Sequence, residues 1–347
     1  MIKKQGRWRG LDIVKAIGVI LMVVLHVVMW WYIPYDYGAE RVSEMFFFFL
    51  PFLKFIGLFV IIIPITAGAS LRYFLDENFK DNEKLVMVLK RSFLLIFTGY
   101  FMNLLAWGRA EFLDWDVLQF VGVGLALAAL MIRFFSMPFL WIVGALTLIS
   151  APFLRMALGK WELNYIIAVL IGNNEGNFFW PFFPWFSFII YGFFISHYRL
   201  TCRNKKNIYL ILQIFSFIVL ILAFYLNKLF FVDDIRNIWG PGIFQAPTLT
   251  LLANIGVFNL MLIFAEKFFK SVKTKKFGVI NVFGRGILWI YVLHIVIGYY
   301  LVNFVKYYFV DSVMAMLITI AFMLVLSYVI GVAAVWLKER KAMLTTN

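Results

Sequence analysis

Residues 13–33 read IVKAIGVILMVVLHVVMWWYI. Apart from Lys15 and His26 the run is apolar from end to end, with no alternation of polar and apolar positions. At 1.5 Å per residue a helix of this length crosses the ~30 Å hydrocarbon layer of a bilayer. A helix also satisfies its own backbone, which an irregular segment in lipid cannot do. Outward from this stretch, nine further runs of the same kind fall near 50–74, 88–106, 116–133, 138–155, 180–197, 208–226, 247–266, 284–303 and 312–336. The third is the least apolar, because Lys90 and Arg91 cut into its start. The expected fold class is all-α: a polytopic integral membrane protein with about ten transmembrane helices.

Composition agrees. Hydrophobic residues make up 64% of the 347-residue chain and charged residues 14%, against roughly 45–50% and about 25% in soluble domains. Mean hydropathy is +0.90. A soluble enzyme, a disordered chain and a disulfide scaffold are excluded together. The one cysteine, Cys202, has no internal partner and reads as an incidental thiol. No Cys/His cluster has metal-ligand spacing, so no metal is expected. The net charge of +14 would suit nucleic acid, but the basic residues sit in short loops between apolar runs. That pattern sets topology in a bilayer, so the expected partner is lipid and not nucleic acid. The first run lacks a small-residue cleavage site and is followed by many more spans, so it reads as a retained helix.

With a cytoplasmic N-terminus, 24 of the 32 Lys and Arg fall on the inner side, Lys3, Lys4, Arg7, Lys80, Lys84, Arg203, Lys270 and Lys338 among them. The outer side carries 8 Lys and Arg but 11 of the 18 Asp and Glu. Both termini are therefore expected to be cytoplasmic. Trp30, Trp31 and Tyr32, with Trp107, Trp115, Trp180 and Trp185, stand where helices should leave the membrane. The chain reads as one transmembrane domain, 1–347, with no soluble domain appended, in the plasma membrane. In the longest outer connection, 161–172 reads as a short interfacial helix and Asn173–Gly176 as a polar turn. A second outer loop carries Asp233, Asp234, Arg236 and the Gly240-Pro241-Gly242 turn. Pro51, Pro64, Pro184 and Pro247 lie inside or at the start of spans and predict kinks there.

Ionisable residues within spans cost roughly 2.5–3.5 kcal/mol each on insertion scales, so each marks a functional hypothesis. His197 falls at an inner helix end and reads as an interface residue. His26 and His294 lie mid-span with no acid on their own helices. Imidazole suits proton transfer near neutral pH; the bland alternative is a hydrogen bond across the bundle. Lys15 and His26 are three turns and about 20° apart, on one stripe, separated by roughly 16.5 Å along the axis. A ligand with an anionic head and a reactive tail fits that pair, and coenzyme A has a phosphorylated head and an arm of that reach. Lys15 reads equally as an inner-leaflet anchor, with Asp12 in reach at i, i+3. Asp116 is either a solvated loop acid or a carboxylate that orients a histidine. Asn103, Gln119, Asn281 and Arg285 complete the polar candidates.

Four segments carry a resemblance. Arg9-Gly10-Leu11-Asp12-Ile13-Val14-Lys15-Ala16-Ile17-Gly18 with Leu21 to His26 resembles the first helix of the transmembrane acyltransferases. These include the acyltransferase-3 enzymes and the heparan-α-glucosaminide N-acetyltransferase-like proteins. Asp116-Val117-Leu118-Gln119-Phe120-Val121-Gly122, Phe183-Pro184-Trp185 through Gly192, and Phe283-Gly284-Arg285 through His294 are similar to three later helices of the second branch. The order agrees, and the segments are spread over most of the length of the chain.

The resemblance implies an integral-membrane acyltransferase. It would move an acyl group, here acetyl, from cytoplasmic acyl-CoA to a hydroxyl or amine of an extracytoplasmic or lipid-linked carbohydrate. Acetyl-CoA would be the co-substrate, and a homo-oligomer is compatible with the family. His26 maps onto the catalytic histidine, as general base or acyl carrier. His294 would assist, and Lys15 and Arg285 would hold the CoA phosphates; Asp116 joins the histidines as a catalytic candidate on its position and chemistry, not on the motif. Lys15 stands where the family usually has Arg, and Asp116 where the related branch often has Gly. The competing reading is a transporter or flippase using the two histidines as a proton relay, though the chain shows no internal repeat. A membrane scaffold without activity would leave the mid-span histidines unexplained.

Overall fold

The computed structural model describes residues 8–32, 51–52, 55–75, 81–161, 164–172, 178–202, 205–226, 245–268, 278–309 and 312–344. The N-terminal Lys3, Lys4 and Arg7, the loop cations Lys80, Arg203 and Lys270, the turn Asn173–Gly176 and the Asp233–Gly242 loop lie outside them. Twelve helices follow one another among the described residues: α1 Arg9–Tyr32, α2 Ile62–Leu75, α3 Asn82–Ala106, α4 Val117–Phe134, α5 Met137–Leu158, α6 Tyr165–Ile171, α7 Phe182–Thr201, α8 Lys205–Tyr225, α9 Thr248–Phe268, α10 Val279–Arg285, α11 Ile287–Phe309 and α12 Val313–Leu344. Among the described residues there is no strand, only an isolated bridge between Trp115 and Phe178. Nine helical segments among the described residues are long and apolar enough to cross a membrane, each at an expected place. The tenth expected span is also a helix, α7, and it is mostly buried in protein.

Three of the span prolines stand at helix starts, and the expected kink is seen at Pro184, where the preceding Phe183 leaves helical geometry. Pro64 and Pro184 are third residues of α2 and α7, and Pro247 directly precedes α9. A first-turn residue has no intrahelical acceptor for its N–H, so proline costs nothing there. α7 enters through Phe183, at φ −97° and ψ 117°, and a cis Phe183–Pro184 bond. The interfacial helix is shorter than expected. Asn164 caps α6 by accepting from Ile166 N–H at 3.0 Å and Ile167 N–H at 3.3 Å, and the helix stops at Gly172, φ +82°.

The chain divides into two compact units. In the unit built from Ile61–Leu260, α7 is the central helix, with Trp185, Phe186, Phe188 and Phe193 fully buried. It crosses α2 where Gly68 and Gly192 let the two backbones touch. Trp141 of α5 stacks on Phe194 of α7 at 4.1 Å. α3 pairs with α4 and turns Phe93, Leu94, Phe97 and Phe101 outward; an apolar face of that size suits lipid, not water.

In the unit built from Gly6–Val60 and Met261–Asn347, α1 packs against α10, α11 and α12. Gly284 of α10 lies so close to α1 that a Cβ would stand 2.8 Å from the Asp12 carbonyl oxygen. Trp8 Nε1 donates to Glu266 Oε1, tying the entry of α1 to the end of α9.

Candidate active site

α1 and α11 each deliver one mid-span histidine to the same point. His294 Nε2 and His26 Nδ1 are 3.0 Å apart, although 268 residues separate them in the chain. The other nitrogen of His294, Nδ1, is 2.9 Å from the Ile290 carbonyl oxygen, one turn earlier on α11. These contacts order the protons. A carbonyl only accepts, so His294 Nδ1 carries its hydrogen. In a neutral ring Nε2 is then the acceptor, and His26 Nδ1–H donates to it. That leaves the lone pair of His26 on Nε2.

The two rings differ in access. His294 is 0% exposed, whereas His26 is half-buried. One imidazole is sealed and oriented by a backbone carbonyl; the other belongs to a residue that is not fully enclosed. The arrangement parallels a base held by a second group, the constellation that activates a nucleophile or removes its proton.

The cation candidates lie at the start of α1. Lys15 is half-buried on α1, three residues beyond Asp12. Because Gly284 rests on the Asp12 backbone, Arg285 is brought to the same end of the helix. Its Nη1 donates to Glu339 Oε1 of α12 at 3.0 Å, with the two side chains 21% and 26% exposed. One of five guanidinium hydrogens is used in that bond, so an anion can still be met.

Asp116 belongs to the other unit. It is the N-cap of α4, where its side chain accepts from Val117 N–H at 2.6 Å. Asn103 Nδ2 and Gln119 Nε2 both donate to the Asp114 carbonyl oxygen, at 2.8 and 3.2 Å, and lock the loop before α4. Burial, then Glu111, then Asp116 push the Asp114 carboxyl up to about 7. Among the described residues, no group of acids, cysteines and histidines could hold a metal ion.

A family described as "Heparan-alpha-glucosaminide N-acetyltransferase, catalytic" matches residues 7–226, well over half of the chain. The chain belongs to this family. It is an acetyltransferase of the heparan-α-glucosaminide N-acetyltransferase kind and a multi-pass membrane protein. No curated protein and no solved structure matches the chain. The family match takes in Lys15, His26 and Asp116 and ends before Arg285 and His294. Family membership sets the transporter and scaffold readings aside.

Sequence reasoning missed two partners. Trp30 stacks on His26, with ring centroids 5.2 Å apart, and the four-residue spacing was a signal for it. Glu339, the partner of Arg285, sits 54 residues away on α12, and no local pattern announces it.

Proposed function

We propose that the protein transfers an acetyl group from cytoplasmic acetyl-CoA to a hydroxyl or amine of an extracytoplasmic or lipid-linked carbohydrate, with His26 as general base. The observation that carries the reading is the pairing of a sealed, carbonyl-oriented His294 with a partly accessible His26. His26 Nε2 takes the proton as the acceptor's oxygen or nitrogen attacks the acetyl carbonyl; the C–S bond of the thioester then breaks, and the imidazolium returns the proton to the departing CoA thiolate. His294 holds the ring in the tautomer that leaves Nε2 basic, and shares the positive charge that follows. Such proton transfer contributes about 10²–10⁴-fold to rate.

The cations suit the donor. Lys15 is half-buried near the start of α1, and the partly exposed Arg285 follows the Gly284 that packs on Asp12 at that same end, with His26 roughly three turns further along. These two residues would hold the phosphates of acetyl-CoA, which supplies the activated acetyl thioester. In this reading the end of α1 that carries the cations lies at the cytoplasmic face, both termini with it, a choice supported by the charge bias of the loops, and the protein resides in the plasma membrane. Asp116 enters the proposal as the residue that fixes the start of α4.

Sealed vesicles test donor and orientation together. Acetyl-CoA added outside should be consumed, with an aminosugar or hydroxyl-sugar acceptor enclosed, by inside-out vesicles and not by right-side-out ones. Consumption by right-side-out vesicles alone reverses the orientation, and none in either rejects the donor.

Lys15 separates a donor site from a lipid anchor. Lys15→Ala should raise the KM for acetyl-CoA by about tenfold, consistent with the roughly 1.5–3 kcal/mol of a charged hydrogen bond. Lys15→Arg should retain much of the binding, Lys15→Glu should be worse than Ala, and the acceptor KM should stay put. If the yield falls while the acetyl-CoA KM does not move, Lys15 is an anchor.

A further inference from the structure

The indole of Trp30 takes no part in the proton path, yet it lies against both imidazoles. It is within 22° of parallel to His26 at 5.2 Å and within 30° of His294 at 6.4 Å. Its own surroundings fix it there. Tyr299 meets it edge-on at 6.1 Å and 81°. Gly298 makes room for it: a Cβ there would stand 2.9 Å from Trp30 Cζ3 and 2.8 Å from Met323 Cε. Lys306 Nζ donates to the Trp30 carbonyl at 3.2 Å. That carbonyl is in the last turn of α1, where no intrahelical donor remains. The ring is 5% exposed.

An aromatic face attracts a cation within about 6 Å of its centroid, and more strongly when the pair is desolvated. A neutral imidazole gains little from such a face; an imidazolium gains much. An interaction that strengthens as the proton moves lowers the barrier, whereas uniform binding does not. We propose that Trp30 is a positioning residue of the transfer: its indole face stabilises the imidazolium that His26 becomes and keeps the ring aligned with His294. The proposal rests on His26 being the base. Among the described residues, the titratable groups that face this stack are His294, Tyr291 (edge-on to His294 at 5.6 Å), Tyr299 and Lys306, all on α11, while α12 contributes the apolar Met323.

Trp30→Leu keeps an apolar side chain and removes the π face. Its kcat should fall roughly 2- to 30-fold, the value of a cation–π contact, with the KM for acetyl-CoA unchanged. The acid limb of the kcat–pH profile should move to lower pH by the same factor, because the imidazolium has lost a stabilising partner. Trp30→Phe keeps a smaller face and should fall between the two in both respects; it decides the matter if the Leu variant misfolds. Gly298→Val, which crowds the indole from α11, should shift the profile in the same direction. A loss of kcat with the acid limb unmoved in the Trp30 variants would reduce the indole to packing and overturn the proposal. Normal turnover in His26→Ala would instead remove the base itself, so the two failures are told apart.

Discussion

His26→Ala should lower kcat for acetyl transfer by about 10²–10⁴-fold while the protein still inserts, folds and binds CoA. The change deletes the one ring nitrogen whose lone pair the His294 contact leaves available for an incoming proton. Alanine is a good helix former, so α1 should persist. His294→Ala should be damaging but less so. It removes the Nε2 that faces His26 Nδ1 at 3.0 Å, yet leaves the base in place. The measurements are steady-state kcat and thermal stabilisation by CoA on each purified variant. Near-normal turnover in His26→Ala, with CoA binding intact, would return the histidine pair to a hydrogen bond that merely joins α1 to α11.

The membrane part of this fold was legible because lipid imposes a length. An apolar run near 21 residues, such as 13–33, has one structural answer in a bilayer. Helix boundaries were less legible. Pro64 and Pro184 signal a break, and only the surrounding chain decides between a kink and a start. The i, i+4 relation of His26 to Trp30 could be read from spacing. The approach of His26 to His294 could not, because it depends on how α1 and α11 pack. Asp116 was read for its charge, toward a histidine. An acid directly before the apolar run of α4 is also a cap signal, and the cap is what the structure shows. Arg285 was read as a bare cation because nothing near it in sequence announces Glu339.

Gly192→Ala should cost most or all of the folded protein, although it adds one methyl group far along the chain from either histidine. An ideal Cβ at Gly192 would lie 1.8 Å from the carbonyl oxygen of Ile65. The reciprocal contact is as close: a Cβ at Gly68 would lie 1.9 Å from the Ile189 carbonyl oxygen. Both obstacles are backbone, so no rotamer change relieves them, and α2 and α7 would have to move apart. Ordinary overpacking costs about 1–3 kcal/mol and occasionally more, from a total stability of about 5–15 kcal/mol. Separating the central helix also opens contacts along α2, α4 and α5. Gly159→Ala is the control, since a Cβ there meets nothing within 4 Å. Yield of monodisperse protein and Tm in detergent should be near wild type for Gly159→Ala and collapse for Gly192→Ala. Equal values for the two would mean that α2 and α7 do not cross backbone to backbone. In lipid, where helices gain little by hiding apolar surface from one another, such close crossings at small residues supply much of what holds a bundle together.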